Sequence, residues 1–284
     1  MNSELIVDLH SHSYYSDGTL SPADLIRRAH DNRVNVLALT DHDETKGLNE
    51  AQTVADELGL QLINGVEISI SWDRNQTIHI VGLNIDPENQ ALQAGLLLIR
   101  KERVRRAKKI AEKLEKTGIE DVWQKVTEKA GFEAVTRTHF ARFLLENGYA
   151  KDMQHCFKKY LGRKGRAYVN GQWLPMLDAV GWIISAGGQA VIAHPTRYKL
   201  TKSKLERLVT DFKACGGVGL EVVAQRYSEK EKSDMASLAR RYELFASVGS
   251  DFHNPGNPYV ELGRGLSLPE GCKPIWREWD IKPS

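Results

Sequence analysis

The sequence predicts an α/β protein in which a parallel β-barrel carries an inserted helical subdomain. Seven short, apolar, strand-like runs alternate with amphipathic segments, and this alternation favours βαβ units and a parallel sheet. The alternation breaks once, because only helical periods occur from about Gln90 to Leu161. The strand-like runs cover residues 4–8, 35–40, 60–65, 77–83, 189–193, 219–223 and 244–249.

The break divides the chain into three parts. They are the first part of the barrel, a helical insertion for substrate recognition and the second part of the barrel, at residues 1–89, 90–170 and 171–284. Ser21 followed by Pro22 is typical of a helix start, so we expect the first helix to run to about Asn32. Further helices are expected over residues 45–58, 175–186 and 201–214.

Composition and charge exclude several classes of protein. Cys156, Cys215 and Cys272 are odd in number and far apart, so neither a disulfide framework nor a cysteine zinc site is expected. The first residues do not resemble a signal peptide, and no apolar run approaches about 18 residues. We therefore expect a cytoplasmic protein without a membrane partner. The formal charge of +2 is too small to indicate nucleic-acid binding.

Histidines and carboxylates recur close to the ends of the strand-like runs. In an extended segment alternate side chains point the same way, so His10 and His12 can bind one ion. A parallel barrel gathers the carboxyl ends of its strands into one cavity. A single histidine at a strand end is usually an ordinary polar residue, but six of them with several acids exceed what one ion can use. We therefore predict a multinuclear metal hydrolase, with zinc, manganese or iron as suitable ions.

Six short motifs carry a resemblance to a known family. They are Asp8-Leu9-His10-Ser11-His12, Thr40-Asp41-His42, Gly65-Val66-Glu67, Ile78-His79-Ile80-Val81-Gly82, Ala193-His194-Pro195 and Gly249-Ser250-Asp251-Phe252-His253. With them the sequence resembles the PHP (polymerase and histidinol phosphatase) phosphoesterases over nearly its whole length. Within the insertion, residues 135–144 resemble a subgroup that acts as 3′,5′-nucleoside bisphosphate phosphatase and 5′-to-3′ exoribonuclease.

The resemblance implies a distorted (β/α)7 barrel that holds up to three divalent ions. The first ion would bind His10, His12, Glu67 and Asp251, the second Glu67, His79 and His194, and the third Asp17, His42 and His253. A metal-bridging hydroxide held by Glu67, Asp251 and His194 would be the nucleophile. Many relatives have histidine in place of Asp17, and an oxygen ligand there favours Mn²⁺ over an all-zinc site, with Zn²⁺ and Fe²⁺ as alternatives.

Two further acids are expected to support the ligands. Metal-bound imidazoles commonly donate their second N–H to a carboxylate, and Asp8 and Asp41 stand beside ligand positions. The alternative is that both are ordinary acids at strand ends.

Arginines in the insertion are the candidates for substrate recognition. On a helix over residues 96–114, Arg103 lies within the apolar stripe and Arg106 at its edge, whereas Lys101, Arg105, Lys108 and Lys109 point away. An inward arginine needs an anionic partner. That partner is either a phosphate, which guanidinium groups bind bidentately, or an internal acid. A third possibility is that the arginine stems lie over apolar neighbours with their charged heads in water.

A second basic group consists of Arg137, His139 and Arg142, and we expect Thr136 or Thr138 to cap the helix that follows. Arg197 follows His194 by three residues and could reach the scissile phosphate. For each of these arginines a surface role is the alternative. Trp72 and Trp173 are weaker candidates for stacking on a base, against ordinary packing.

The expected activity follows from the resemblance. The enzyme would hydrolyse the 3′-phosphate of nucleoside 3′,5′-bisphosphates, as in the conversion of adenosine 3′,5′-bisphosphate to AMP and phosphate. On 5′-phosphorylated RNA or short oligoribonucleotides it would act as a 5′-to-3′ exoribonuclease, with ribosomal RNA 5′-end maturation as one role. The alternatives are a phosphatase for another small monoester, such as histidinol phosphate, and a non-enzymatic, metal-stabilised RNA-binding module. The latter would have lost a ligand, and none is missing.

Overall fold

A nearly closed barrel of seven strands forms the centre of the protein. The computed structural model describes residues 5–74, 76–130 and 135–281, and its strands follow one another in chain order around the sheet. The backbone N–H of Leu9 donates to Val248 O (3.0 Å), and Ser11 pairs with Phe252, which brings the two edges together. The strands are β1 (Val7–Asp8), β2 (Val36–Leu39), β3 (Gln61–Trp72), β4 (Gln76–Leu83), β5 (Gln189–Ile192), β6 (Gly219–Ala224) and β7 (Phe245–Gly249). The predicted α/β barrel is confirmed, although Glu4 of the first predicted strand lies outside the described residues.

One part of the sheet corrects the sequence prediction. β4 is antiparallel to both β3 and β5, whereas we expected a parallel sheet throughout. Only three residues separate Trp72 from Gln76, and a parallel pair needs a crossover of about a dozen residues or more. β3 is also twice as long as the predicted run at 60–65. As a result, Glu67 and His79 lie within strands and not at strand ends.

Helices surround the barrel, and most begin where expected. Ser21 Oγ accepts the N–H of Asp24 (2.9 Å) and Pro22 occupies the first turn, which confirms the predicted start of α1. α2 begins at Leu48, three residues later than predicted, because the Glu44 carboxylate binds the N–H groups of Thr45 and Lys46 in a turn. The helices in the described residues are α1 (Pro22–Asp31), α2 (Leu48–Leu58), α3 (Gln90–Glu115), α4 (Val122–Ala130), α5 (Arg137–Glu146), α6 (Met153–Cys156), α7 (Met176–Ser185), α8 (Lys202–Ala214) and α9 (Glu229–Arg241).

The long helix α3 belongs to two hydrophobic clusters. Leu92, Leu96 and Ile99 pack into the core of the barrel. Beyond them, Ala107 and Ile110 pack into a second cluster, which α4, α5 and the helical turn at Phe157–Leu161 complete. Arg103 and Arg106 are buried where the first cluster gives way to the second. The sequence prediction that both arginines face inward is confirmed.

No helix in the described part of the chain is both long and apolar enough to cross a bilayer.

Candidate metal centre

Two chain segments bring the first ligand candidates together just beyond the barrel strands. His10 and His12 follow β1, and Asp251 and His253 follow β7. The N–H of Asp251 donates to His10 O (2.8 Å), and the N–H of His12 donates to Phe252 O (2.9 Å). The backbone pairing that closes the barrel therefore also sets these four side chains side by side.

Glu67 lies at the centre of the cluster and is fully buried. Its Oε1 is 2.8 Å from His79 Nδ1 and 2.8 Å from His194 Nε2. Its Oε2 is 2.8 Å from His42 Nδ1, 3.3 Å from His12 Nε2 and 3.4 Å from His10 Nε2. Five imidazoles thus surround one carboxylate.

The donor atoms fall into three groups, each within 4.8 Å. The groups are His10, His12, Glu67 and Asp251; His42, Glu67 and His79; and His12, Asp17, His42 and His253. The first matches the predicted first set. The second has His42 where we expected His194, and the third adds His12 to the predicted residues. All nine predicted residues converge, and Glu67 is shared by two groups.

Several buried atoms of the cluster have no hydrogen-bond partner within the described residues. His42 Nδ1 and Glu67 Oε2 are 2.8 Å apart, but their geometry is not that of a hydrogen bond. An unsatisfied buried polar atom costs about 1–3 kcal/mol. The unpartnered atoms here include His10 Nε2, Asp17 Oδ1, His42 Nδ1, Glu67 Oε2 and His194 Nδ1. Imidazole nitrogens and carboxylate oxygens that converge unpaired fit divalent transition-metal ions.

The charges of the cluster support the same interpretation. Burial raises the pKa of Glu67, but the imidazoles of His42, His79 and His10 outweigh it and hold that pKa well below its usual range. Burial lowers the pKa of His253, but the carboxylates of Asp17 and Asp251 outweigh it and raise the pKa to about 9. The cluster therefore attracts positive charge, either as protons on imidazoles or as bound cations.

The two predicted supporting acids have other partners. Asp8 accepts the backbone N–H groups of Ser250 (2.8 Å) and Gly263 (3.0 Å), so the prediction that it holds an imidazole is wrong. Asp41 accepts the hydroxyl of Ser16 (2.6 Å), and that hydroxyl lies 3.4 Å from His12 Nδ1, so Asp41 reaches an imidazole only through a serine.

Sequence reasoning missed a further carboxylate, outside the predicted ligands, that contacts an imidazole directly. Glu221 Oε1 lies 3.0 Å from His10 Nδ1, and Oε2 accepts the backbone N–H of His194. The available signal was an acid within the apolar run at residues 219–223.

The helical insertion touches the cluster through Asp17. Thr136 Oγ1 donates to Asp17 Oδ2 (3.1 Å), and Arg142 donates to Asp17 O (2.7 Å). Thr136 also caps α5, and His139 Nδ1 accepts its backbone N–H (3.1 Å) in a capping box. Of the two predicted caps Thr136 is therefore confirmed. His139 and Arg142 have structural partners, which differs from their predicted role in substrate binding.

A cleft beside the cluster is lined by three arginines. Arg103 donates to Asp43 Oδ2 (2.5 Å) and Ser69 Oγ (2.8 Å). Of the three possible arrangements of an inward arginine, Arg103 therefore has the ion pair with an internal acid. Arg106 donates to Val169 O (3.0 Å). Burial, with neighbouring Arg137 and Arg103, lowers the pKa of Arg106 to about 9. The lining includes Asp17, His42, Ser69, Thr77, His79, Arg103, Arg106, Thr136, Arg137, Phe157 and Trp173.

Aromatic side chains form the walls of this cleft. The guanidinium carbons of Arg103 and Arg106 lie 5.3 Å and 5.6 Å from the centre of the Trp173 ring. That of Arg137 lies 5.8 Å from the ring of Phe157. Trp72 contributes no wall here, because its indole N–H donates to Asp211 (2.8 Å) elsewhere. The cleft thus offers positive charge and apolar surface together.

Arg197 pairs with a ligand candidate. Its guanidinium forms an ion pair with Asp251, and its side chain is 43 % exposed. To contact the scissile phosphate as predicted, the Arg197 guanidinium would have to bind the phosphate and Asp251 together or release Asp251.

The fold and the cluster define a class of protein. A barrel that gathers imidazoles and carboxylates beside a cationic cleft is typical of metal-dependent hydrolases of phosphoesters. The sequence profile of the PHP domain matches residues 8–189, and the chain belongs to this family. It is a hydrolase, a phosphoesterase of the metal-dependent PHP type.

Relatives cover nearly the whole chain. A 3′,5′-nucleoside bisphosphate phosphatase of Chromobacterium violaceum is 47% identical, over 97% of this chain and 97% of its own. The 5′-3′ exoribonuclease Rnm of Salmonella typhimurium is 46% identical, over 98% and 95%. A solved structure described as an amidohydrolase from Chromobacterium violaceum, with bound sulfate and no metal, has a TM-score of 0.92 at 47% identity and covers 96% of this chain and 95% of its own.

Proposed function

We propose that this protein hydrolyses the 3′-phosphate of nucleoside 3′,5′-bisphosphates and degrades 5′-phosphorylated RNA from its 5′ end. One observation carries the proposal: three arginines line the same cleft as Asp17, His42 and His79 of the candidate metal centre. A phosphate at the arginines and a second one at the metal centre would then belong to one nucleotide.

The nine converging residues are proposed as ligands for up to three divalent ions. When bound, such ions lower the pKa of water and neutralise charge on a phosphate. Asp17, Glu67 and Asp251 supply hard carboxylate oxygens, which favours Mn²⁺, with Zn²⁺ or Fe²⁺ as alternatives. We assign the activation of the attacking water to Glu67, Asp251 and His194.

Arg106 and Arg137 are the proposed ligands of the 5′-phosphate. Arg103 adds positive charge, although Asp43 occupies one side of its guanidinium. Trp173 and Phe157 offer apolar surface for the nucleoside. Arg142 and His139 act indirectly in this scheme, because they fix α5 and its contact with Asp17. Arg197 is proposed to orient Asp251.

A single chemistry accounts for both activities. In a bisphosphate the 3′-phosphate is terminal, and its hydrolysis releases phosphate. In RNA the same phosphate joins the next nucleotide, and its hydrolysis releases a 5′-mononucleotide. The names of the two relatives support this pair of activities, since one is a bisphosphate phosphatase and the other a 5′-3′ exoribonuclease. We propose that the reaction takes place in the cytoplasm, where cysteines stay reduced, because the three cysteines are unpaired. Maturation of the 5′ end of ribosomal RNA is one proposed role of the exoribonuclease activity.

A phosphatase for histidinol phosphate is the weaker alternative. That substrate carries one phosphate, so the arginine-lined cleft would lack its anion. The non-enzymatic RNA-binding module is set aside, because the relatives are enzymes and every ligand residue is present.

A direct comparison of substrates tests the proposal. Metal-reconstituted protein should be assayed against adenosine 3′,5′-bisphosphate, histidinol phosphate and a short 5′-phosphorylated RNA. We expect the bisphosphate and the RNA to be hydrolysed and histidinol phosphate to react poorly. A preference for histidinol phosphate would contradict the proposal.

Replacing Arg106 or Arg137 with alanine should weaken hydrolysis of the bisphosphate selectively. Each lost charge-assisted hydrogen bond to the 5′-phosphate is worth about 1.5–3 kcal/mol in kcat/KM. The kcat/KM for a nucleoside 3′-monophosphate, which has no 5′-phosphate, should fall much less. Steady-state kinetics on both substrates measure the difference.

Lys109→Ala is the matched control, because Lys109 is an exposed cation on the same helix α3. It should leave both rates unchanged. Arg103 is less suitable for this test, since its loss would leave Asp43 buried without its charged partner. Equal losses on the two substrates would show that Arg106 and Arg137 are structural.

Binding of metal should release protons and tighten as the pH rises. The pKa of His253 is about 9 without metal, so its imidazole is protonated at neutral pH and must lose that proton to bind a cation. Mn²⁺ affinity should therefore rise about tenfold per pH unit for each proton released, until the pH passes that pKa. Calorimetry in two buffers of different ionisation enthalpy counts the protons. An Mn²⁺ affinity that does not change between neutral pH and about pH 9 would contradict the assignment of His253 as a metal ligand.

A further inference from the structure

A glutamate in the middle of β6 contacts two of the proposed metal ligands. Glu221 is 2 % exposed and is the single acid in the otherwise apolar strand Gly219–Ala224. Its Oε1 lies 3.0 Å from His10 Nδ1, and its Oε2 accepts the backbone N–H of His194. A buried carboxylate is costly unless it is paired, and both of its oxygens are used here on residues of the metal centre.

His194 needs support because its backbone is strained. Its φ of 29° and ψ of 56° lie in the left-handed region, which non-glycine residues rarely adopt. The hydrogen bond from its N–H to Glu221 holds this turn at the end of β5. Such strain persists only where the surrounding structure enforces it.

Gly249 leaves the space in which Glu221 meets His10. A Cβ at this position would lie 2.3 Å from His10 Cβ and 2.6 Å from Glu221 Oε1. β6, β7 and the segment just after β1 thus meet around one carboxylate and one imidazole. Both side chains are buried, so the contact does not depend on a surface loop.

We propose that Glu221 is a positioning residue of the metal centre. Its carboxylate holds His10 with a proton on Nδ1, which leaves Nε2 free for a divalent cation, and it fixes the turn that presents His194. His10 Nε2 is the atom without a hydrogen-bond partner, and it lies 3.4 Å from both Glu67 Oε2 and Asp251 Oδ1. The inference rests on the proposed function, in which His10 and His194 are ligands.

Binding of Mn²⁺ to the metal-free protein, measured by calorimetry, tests this role without using activity. Glu221→Gln keeps the size of the side chain but can accept only one of the two N–H groups, because its amide nitrogen is a donor. We expect its Mn²⁺ affinity to fall by about 10- to 100-fold. The control is Val222→Ala, which removes buried methyl groups from the same strand. It should lower thermal stability and leave Mn²⁺ affinity unchanged.

A double-mutant cycle separates positioning from general destabilisation. If Glu221 acts through His10, Glu221→Gln should weaken Mn²⁺ binding less in a His10→Ala background than in the wild type. Unchanged affinity in Glu221→Gln, with weakened binding in His10→Ala and His194→Ala, would overturn the role of Glu221 alone. Unchanged affinity in all three variants would overturn the ligand assignment and with it the proposed function.

Discussion

Alanine in place of His10, His12 or Asp251 is expected to abolish phosphoester hydrolysis while the barrel stays folded. These side chains converge with Glu67 in one buried group, so each loss removes a ligand from a shared centre. Because the centre acts as a unit, a double variant should lose little more activity than a single one. Turnover, metal content by elemental analysis and circular dichroism together measure the outcome.

His30→Ala is the matched control for the histidine variants. His30 is an exposed histidine near the end of α1 and lies outside the cluster, so its loss should leave turnover intact. Wild-type turnover by His10→Ala, or the absence of any divalent metal from active protein, would contradict a metal-dependent mechanism based on these residues.

RNA with a 5′-monophosphate should be shortened stepwise to 5′-mononucleotides, whereas RNA with a 5′-hydroxyl should react slowly and circular RNA should not react. An internal nucleotide carries a phosphodiester in place of a terminal phosphate. Under the proposed function it cannot bind where buried Arg106 and partly buried Arg137 hold a terminal 5′-phosphate. Gel analysis of 3′-labelled RNA over time distinguishes stepwise shortening from internal cleavage.

The same arginines provide the control for this prediction. Arg106→Ala should reduce the preference for 5′-phosphate over 5′-hydroxyl RNA, because the charge that distinguishes them is lost. Early internal fragments, or equal rates of the wild type on the two linear substrates, would show that the cleft does not select the 5′ end.

The candidate ligands could be predicted because each motif is local. His10 and His12 are two residues apart in an extended segment, so their common direction follows from strand geometry alone. Barrel closure then depends on the order of strands, which the alternation of apolar and amphipathic runs indicates.

Contacts between distant parts of the chain could not be predicted in the same way. Glu221 and His10 are 211 residues apart, and nothing near either residue indicates the other. Periodicity on α3 shows that Arg103 faces inward, but it cannot distinguish the carboxylate of Asp43 from a phosphate, since both are anions. The sequence does not predict the antiparallel β3–β4 pair, because the predicted strand ends at Gly65. Apolar and polar residues nevertheless continue to alternate to Trp72.

The continuity of α3 has a consequence for substrate selection under the proposed function. One helix of 26 residues packs against the barrel core at one end and carries Arg106 beyond it, so the distance between Arg106 and the metal centre is fixed by helical rise. A single inserted residue between Ile99 and Arg103 would turn Arg103 and Arg106 by about 100° about the helix axis and move them away from the cleft. Substrates would then be selected by the distance between their two phosphates.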